Sequence, residues 1–239
     1  MHIVDLALIP DIAISLLLDW TDDRSFIDKQ HRQQRLDHLG QLYRSWAGND
    51  SDRVNPKLFS TDVLKPGASS FAAVSQHYIS AAAAKGLLIW LSMIAGQFAD
   101  RDPTEQNLLR AGLCMGLQQL QHTMLTNGRL LEQADRDLCE HMYSLFRNAF
   151  DKLAQRALQQ QSLRYHLRPK IHHFEHLVYD VVCKGRNWRY ISCYLGEDVV
   201  RITKRMAVRL HPLVTGVRVL DHYSMHVTLK WAGLLDDDE

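Results

Sequence analysis

The sequence predicts a mainly α protein, in which a central antiparallel helical bundle precedes a small basic helical unit with room for one short strand pair. Three observations indicate this class. Apolar residues recur at three- and four-residue spacing over long segments, Asp-Pro and Asn-Gly pairs separate these segments, and only one short stretch is aromatic and extended in character. An apolar content of 46% in 239 residues is enough for a buried core.

The first part of the chain is predicted to hold two helices and a linker. Residues 12–20 are almost wholly apolar, and residues 28–47 place apolar side chains on one stripe. The following stretch is loop-like, with a turn at Asn55-Pro56. We therefore assign residues 1–50 to N-terminal helices and residues 51–78 to a linker.

Residues 79–161 are predicted to form the bundle. Helices are expected over residues 79–99, 105–126 and 132–160. Asp102-Pro103 is expected to supply the N-cap and first residue of the second helix, and such short turns make consecutive helices antiparallel neighbours. The core-facing residues of the third helix are expected to be Leu138, Met142, Leu145, Ala149 and Leu153.

Residues 162–235 are predicted to form the basic unit, followed by an acidic tail over 236–239. A helix should run from Pro169 to about Val182 and pack on the bundle through one apolar side. The residues of that side are Ile171, Phe174, Leu177 and Val178. Residues 188–195 are short and aromatic and indicate an extended segment, and helices should follow over 197–210 and up to residue 231.

Composition argues against a secreted or membrane protein. No apolar run approaches the roughly 20 residues that span a bilayer, and the acidic start of the chain is unlike a signal peptide. The four cysteines are scattered and form no C-x-x-C pair, as is typical of reduced thiols. We expect an intracellular protein, nuclear or cytoplasmic, with no membrane partner, and the sequence is compatible with a homo-oligomer.

Positive charge is concentrated towards the C-terminus. The net charge is +1, yet residues 162–231 hold 12 Lys and Arg against 5 Asp and Glu, together with seven histidines. Such an excess suits a surface that faces phosphates, and it is equally typical of a solvated helix face. The residues expected to contact nucleic acid are Arg168, Lys170, Lys184, Arg186, Arg189, Lys204 and Arg205.

The segment R-P-K-I-H-H-F-E-H contains an H-x-x-E-H motif. His172 and His176 are one helical turn apart and could bind one zinc ion, while Glu175 would polarise a bound water, as in a zinc hydrolase. A catalytic site needs a third ligand, for which Glu197 is nearest in sequence, and we expect none to converge. Clustered histidines on a basic helix also commonly face water. The sequence has no phosphate-binding glycine loop and no G-x-S-x-G elbow.

Three segments carry a resemblance to known proteins. They are R-Y-H-L-R-P-K-I-H-H-F-E-H-L (164–177), N-W-R-Y-I-S-C-Y-L-G-E-D-V-V (187–200) and V-R-V-L-D-H-Y (217–223), and they resemble a family of uncharacterised proteins from dinoflagellates. In that family a P-K-x-H-x-x-x-H-L segment precedes an aromatic strand and an acidic helix start. The upstream segments D-K-Q-H-R-Q-Q-R-L-D-H-L and L-F-S-T-D-V-L are similar too, so the resemblance covers most of the chain.

That family is distantly similar to the C-terminal part of DDE transposases of the Kyakuja-Dileera-Zisupton and En/Spm-like kinds. The resemblance places residues 1–6 on the M-H-x-x-x-L half of the motif with the second metal-binding aspartate, and Glu197, or else Asp198, at the third acid. One of three acids would then be present, whereas two-metal cleavage needs several carboxylates to hold Mg²⁺. Both residues would also suit the acidic first turn of an ordinary helix.

The resemblance implies a transposase-derived, catalytically incomplete, nucleic-acid-associated protein without a cofactor. One alternative is the zinc-dependent hydrolase, and binding of Zn²⁺ or Mg²⁺ would accompany an active site. The other alternative is a helical protein-interaction module without catalysis. Metal binding favours the hydrolase, and salt-sensitive nucleic-acid binding without a metal requirement favours the transposase-derived protein.

Overall fold

The computed structural model describes residues 3–22, 24–71 and 74–191, and seven scattered residues between 207 and 228. Within these residues the protein is mainly helical and has no β-strand, which confirms the predicted class. The helices are α1 (Ile9–Asp19), α2 (Arg32–Ala47), α3 (Thr61–Leu64), α4 (Ala81–Arg101), α5 (Glu105–Thr126), α6 (Gln133–Gln159) and α7 (Pro169–Leu177). Two π-helical turns, Val4–Leu8 and Val178–Val182, and two 3₁₀ turns, Pro56–Phe59 and Trp188–Ile191, complete the described elements.

The bundle consists of α4, α5 and α6. These helices follow one another through short turns and pack as antiparallel neighbours, as predicted. At Gly116 the backbone of α5 comes very close to α6. A Cβ atom added there would lie 2.7 Å from the carbonyl oxygen of Met142 and 3.0 Å from the amide nitrogen of Phe146. Contact between backbones therefore sets the distance between these two helices.

The core-facing side of α6 is rotated from the predicted one. Leu138 is 37% exposed, whereas Cys139, Tyr143 and Phe146 are buried. The aromatic rings fill the space in front of α7, because Tyr143 and Phe146 pack edge-on against Phe174 with ring centroids 5.5 and 5.7 Å away. Of the other predicted residues, Ala149 and Leu153 are buried, and Met142 and Leu145 are half-buried.

The N-cap of α5 and the first residue of α2 differ from the predictions, although α5 itself begins at Glu105 as predicted. In α5 the N-cap is Thr104 and not Asp102, because the Thr104 hydroxyl accepts a hydrogen bond from the Asn107 amide at 3.4 Å. α2 begins at Arg32 and not at residue 28. The guanidinium of Arg35 donates hydrogen bonds to the carbonyl oxygens of Lys29 and Gln30, at 2.6 and 3.1 Å. These bonds hold residues 28–31 outside the helix.

α1 is buried along nearly its whole length. Ile12, Leu16 and Leu17 are at most 1% exposed, and the helix contacts α4. It begins earlier than predicted, because the π-helical turn Val4–Leu8 precedes it and itself packs on α4 and α7. A helix that is apolar on all sides needs partners on all sides.

A buried polar network joins the end of α1 to α5 and to residues 164–165. One carboxylate oxygen of Asp19 accepts hydrogen bonds at 2.7 Å from Arg110 and from the Tyr165 hydroxyl, and the other pairs with Arg164. The side chains of Asp19 and Arg110 are 3% and 7% exposed. Tyr165 has a φ of 51°, a strained value for a bulky residue, and its amide donates to the Ser15 hydroxyl at 2.9 Å. The network thus pairs the buried charge of Asp19 and holds the backbone of Tyr165 in its strained conformation.

Residues 51–78, predicted as a linker, fold onto α2. They contain the 3₁₀ turn Pro56–Phe59 and α3, and Leu58 and Leu64 are fully buried. The Val54 amide donates to the Tyr43 hydroxyl at 3.2 Å. The segment therefore contributes to the core.

Residues 162–190 also pack with the bundle, although the sequence assigned them to a separate basic unit. The helix that starts at Pro169 continues as a π-helical turn to Val182, so its predicted end is confirmed. Trp188 is 3% exposed and begins a 3₁₀ turn, so the predicted extended conformation is wrong for residues 188–191. By its internal contacts the chain divides into two units, Met1–Tyr190 and Ile191–Glu239.

Among the described helices, α4 alone is long and apolar enough to cross a membrane by length and composition. In this fold it contacts α1, α2, α5 and the π-helical turn Val4–Leu8. Trp90 and Leu91 are fully buried by these contacts. One side of α4 therefore belongs to the core, while Ile89 and Met93 of the same helix are 48% and 38% exposed.

Candidate nucleic-acid interface

α7 lies with one side against the bundle and the other towards solvent. Ile171, Phe174 and Val178 are at most 2% exposed, and Leu177 packs partly on the core, as predicted. Because helical side chains repeat every 3.6 residues, the histidines of the same segment point away from the core. His172, His173 and His176 are all exposed.

His172 and His176 face each other across one helical turn. Their Nε2 atoms are 3.1 Å apart. On the opposite sides of the two rings lie carboxylates, with Asp180 at 2.9 Å from Nδ1 of His176 and Glu175 at 3.5 Å from Nδ1 of His172. The hydrogen bond from His176, with further help from Lys184, holds the pKa of Asp180 below its ordinary value. Glu175 thus lies away from the point between the Nε2 atoms, where a zinc hydrolase would need its base.

The described residues hold no group of three or more His, Cys, Asp or Glu side chains that could bind a metal ion. They do not supply the carboxylates that two Mg²⁺ ions require. Glu197 and Asp198, the predicted catalytic acids, lie outside the described residues. So do the predicted phosphate contacts Lys204 and Arg205, and the further candidate ligands His211, His222 and His226.

A single buried asparagine anchors the loop K-G-R-N-W-R-Y, residues 184–190, which we call the basic loop. Asn187 is fully buried, and its side-chain amide donates to the carbonyl oxygens of Met124, Asn127 and Gly128 at 2.8, 3.1 and 3.1 Å. Its side-chain oxygen accepts the Arg189 amide at 2.9 Å. These bonds satisfy carbonyl groups that the end of α5 would otherwise leave unpaired.

Backbone contacts hold the other half of the basic loop. Arg186 and Leu130 form an antiparallel β-bridge, and the Leu131 amide donates to the Gly185 carbonyl at 2.9 Å. Gly185 has a φ of +84°, in the region that glycine adopts without strain. The basic loop is therefore fixed at both ends to the turn between α5 and α6.

The basic loop presents three cations and an aromatic ring to solvent. Lys184, Arg186, Arg189 and Tyr190 are exposed, Tyr190 to 53%. Lys184 lies 3.2 Å from the exposed carboxylate of Asp180, and Arg189 donates to the carbonyl of Leu125 at 3.3 Å. In the part of the chain that the structure describes, neither Arg186 nor Arg189 forms an ion pair. An exposed arginine whose charge is not paired with a carboxylate can contact the phosphate groups of a nucleic acid.

Arg168, in contrast, pairs with a carboxylate of the protein itself. Its Nε atom lies 3.0 Å from Asp11 and 3.2 Å from Nδ1 of His166. Burial raises the pKa of Asp11 to about 6, although the charges of Arg168 and Lys170 lower it. Arg168 thus ties the start of α7 to α1, whereas Lys170 is exposed and available.

The pKa of Asp11 predicts a pH-dependent loss of stability. The value rises from the ordinary 3.8 to about 6 on folding, so between these values the folded state binds more protons than the unfolded one. Stability should therefore fall as pH rises through this window, by up to about 3 kcal/mol. We expect Asp11→Asn to remove this loss. Urea unfolding of both proteins between about pH 4 and pH 7 measures this effect. As pH rises, the difference in free energy of unfolding should change in favour of the variant by up to about 3 kcal/mol.

Asp151→Asn is the matched control, because Asp151 is exposed and forms only a surface pair with Arg147. Its unfolding, measured over the same pH range, gives the baseline for the loss of one carboxylate. A shift in favour of the wild type with rising pH would mean that Arg168 stabilises the Asp11 carboxylate by more than burial costs.

The sequence indicated the cations of the basic loop and missed the residue that positions them. Asn187 belongs to no periodic pattern, and its partners are about 60 positions earlier in the chain. The one signal for Asn187 is its position, because an asparagine two residues after Gly185 and directly before Trp188 suggests a turn that a side-chain amide holds.

Comparisons with protein-family models, with curated proteins and with solved structures found no match. The resemblance to transposases therefore remains a hypothesis from the sequence.

Proposed function

We propose that this protein is a transposase-derived, nucleic-acid-associated protein that binds the phosphodiester backbone and does not cut it. The observation that carries the proposal is the basic loop, in which a buried Asn187 fixes the chain while Arg186 and Arg189 have no carboxylate partner among the described residues. Such a role belongs inside the cell, in the nucleus or cytoplasm. It requires no cofactor and no base-specific contact.

Rigidity of the basic loop makes it suited to binding. A flexible loop loses conformational entropy when it binds, roughly 1–2 kcal/mol for each backbone residue that becomes ordered. The hydrogen bonds of Asn187 and the bridge of Arg186 to Leu130 have already ordered this loop. Binding energy from its cations is then not spent on ordering the chain.

The chemistry of the exposed side chains selects a phosphate backbone. Arginine presents a planar fork of N–H donors that matches phosphate oxygens, and both Arg186 and Arg189 are exposed. Tyr190 adds an exposed ring next to these cations, which could stack on an unpaired base. Further lysines and arginines of residues 192–231 add positive charge to the sequence beyond the basic loop.

Removing the charges of the basic loop should weaken binding and reduce its dependence on salt. We expect the triple variant Lys184→Gln, Arg186→Gln, Arg189→Gln to lose affinity for a short random-sequence DNA duplex. Each lost phosphate contact reduces the magnitude of the negative slope of log affinity against log salt by about 0.9 for duplex DNA. Fluorescence anisotropy with the full chain, between about 50 and 200 mM salt, measures both quantities.

A second triple variant supplies the control. Lys57→Gln, Lys65→Gln and Lys152→Gln removes the same charge at exposed positions elsewhere, and should leave most of the affinity and slope in place. Equal losses of affinity in both variants would mean that only the net charge of the protein matters, which would contradict a binding site in the basic loop. A single-stranded oligonucleotide, tested in parallel, separates the two forms of nucleic acid, because stacking on Tyr190 requires unpaired bases.

Catalysis is tested separately. Incubation with Mg²⁺ and a labelled duplex should give no cleavage, because a lone third acid cannot hold two metal ions. Cleavage by the wild type that is lost in Glu197→Gln would contradict the inactive part of the proposal. It would leave the part that concerns backbone binding in place.

A further inference from the structure

The facing Nε2 atoms of His172 and His176 form an arrangement that the proposed function does not use. At 3.1 Å they are as far apart as two nitrogen ligands of one ion would be. With metal–nitrogen distances of about 2.0–2.1 Å, the angle at the ion would be roughly 95–100°. This angle lies between that of cis ligands in a square or octahedral site and that of a tetrahedral site.

Asp180, behind the His176 ring, determines which nitrogen of that ring carries the lone pair. Asp180 can only accept, so at 2.9 Å it requires N–H at Nδ1 of His176, which leaves the lone pair of the neutral ring on Nε2. Glu175, at 3.5 Å, is too distant for a good hydrogen bond, so the neutral His172 ring can carry its N–H at Nε2 and donate it to Nε2 of His176. When that proton moves to Nδ1, on the side of Glu175, both Nε2 atoms present lone pairs, and an ion bound to both replaces the hydrogen bond.

We propose that His172 and His176 bind one divalent late transition-metal ion, of the class Ni²⁺, Cu²⁺ and Zn²⁺, through their Nε2 atoms. Imidazole nitrogen is a good ligand for this class, whereas Mg²⁺ and Ca²⁺ prefer oxygen. Both rings are exposed, so water completes the coordination. The ion therefore exchanges with solvent and is not needed for folding. The inference does not depend on nucleic-acid binding.

Asp180 acts as a positioning residue for this site. One of its oxygens accepts from His176 and the other lies 3.2 Å from the ammonium of Lys184. Lys184 thereby fixes the carboxylate, and the carboxylate fixes the His176 ring. Partners of this kind behind a metal-binding histidine typically change metal affinity by about 10- to 100-fold.

The test is a titration of the full chain, without an affinity tag, with Ni²⁺ alone. Paramagnetic Ni²⁺ broadens the imidazole signals nearest to it, so NMR of selectively labelled histidines identifies the ligands. The signals of His172 and His176 should disappear first, before that of the exposed neighbour His173. His172→Gln and His176→Gln should each weaken this binding at least tenfold, and Asp180→Asn by about tenfold.

His173→Gln is the matched control, because His173 is exposed on the same helix but is not part of the facing pair. It should leave the binding unchanged. Equal early broadening of His173, or unchanged affinity in the two single variants of the pair, would overturn the proposed site. Unchanged affinity in Asp180→Asn would overturn the positioning role of Asp180. All four positions are exposed, so these substitutions leave the core intact.

Discussion

Asp19→Ala should lower the free energy of unfolding by roughly 3–5 kcal/mol. The substitution removes the carboxylate that pairs with Arg110 and Arg164 and accepts the Tyr165 hydroxyl. Arg110 would then be a guanidinium with a 7% exposed side chain that has lost its carboxylate. A buried charge without a counter-charge is among the most destabilising changes a core can suffer. Urea unfolding of both proteins, followed by circular dichroism, measures the difference.

Asp151→Ala provides the comparison. Asp151 pairs with Arg147 at 3.2 Å across one helical turn, and its side chain is 46% exposed. Removing a surface pair of this kind should cost about 0–1 kcal/mol. A loss for Asp19→Ala no greater than that for Asp151→Ala would mean that water reaches the network and screens it.

Gly116→Ala should destabilise the protein by about 2–3 kcal/mol, although alanine is the better helix former. The new Cβ atom would meet backbone atoms of α6, the nearest at 2.7 Å, and backbone cannot turn aside as a flexible side chain does. α5 and α6 would have to separate, which opens the packing of Phe146 against Phe174. Thermal and urea unfolding should both show the loss.

Gly96→Ala is the matched control in α4. A Cβ atom added at Gly96 would have no neighbour within 4 Å. Here the helix propensity of alanine is unopposed and should raise stability by roughly 0.5–1 kcal/mol. The two identical substitutions thus have opposite expected signs, and a stabilising Gly116→Ala would show that α5 and α6 are further apart than described.

Regular spacing of apolar residues predicted the three long helices and the buried side of α7. Leu113, Leu117 and Leu120, for example, are all fully buried on one face of α5. Spacing predicts the core-facing side of a helix less well when apolar residues of different size lie next to one another around the helix. In α6 the rings of Tyr143 and Phe146 occupy the core, and Leu138 is displaced towards solvent. Side-chain volume decides which of these apolar residues is buried, and a pattern that only separates apolar from polar residues carries no information about volume.

Contacts between distant parts of the chain could not be predicted. Tyr43, Phe59 and Trp90 pack their rings together, which folds residues 51–78 into the core, yet nothing local in those residues indicates it. For the candidate site, the exposed histidines and the cations of the basic loop were evident from residue type. Asn187 was not, because its role depends on carbonyl groups at the end of α5.

The pairing of Asp19 with Arg164 has a consequence for the order of assembly on the ribosome. The two residues are 145 positions apart, and Asp19 also pairs with Arg110 at a separation of 91. Synthesis at about 5–20 residues per second leaves roughly 7–30 s between the appearance of Asp19 and that of Arg164. For much of that time a largely apolar α1 is outside the exit tunnel without its full set of partners, and exposed apolar surface of this kind is what chaperones bind. α1 is thus synthesised before α2 to α7, and it is fully enclosed only after residues 164 and 165 have followed.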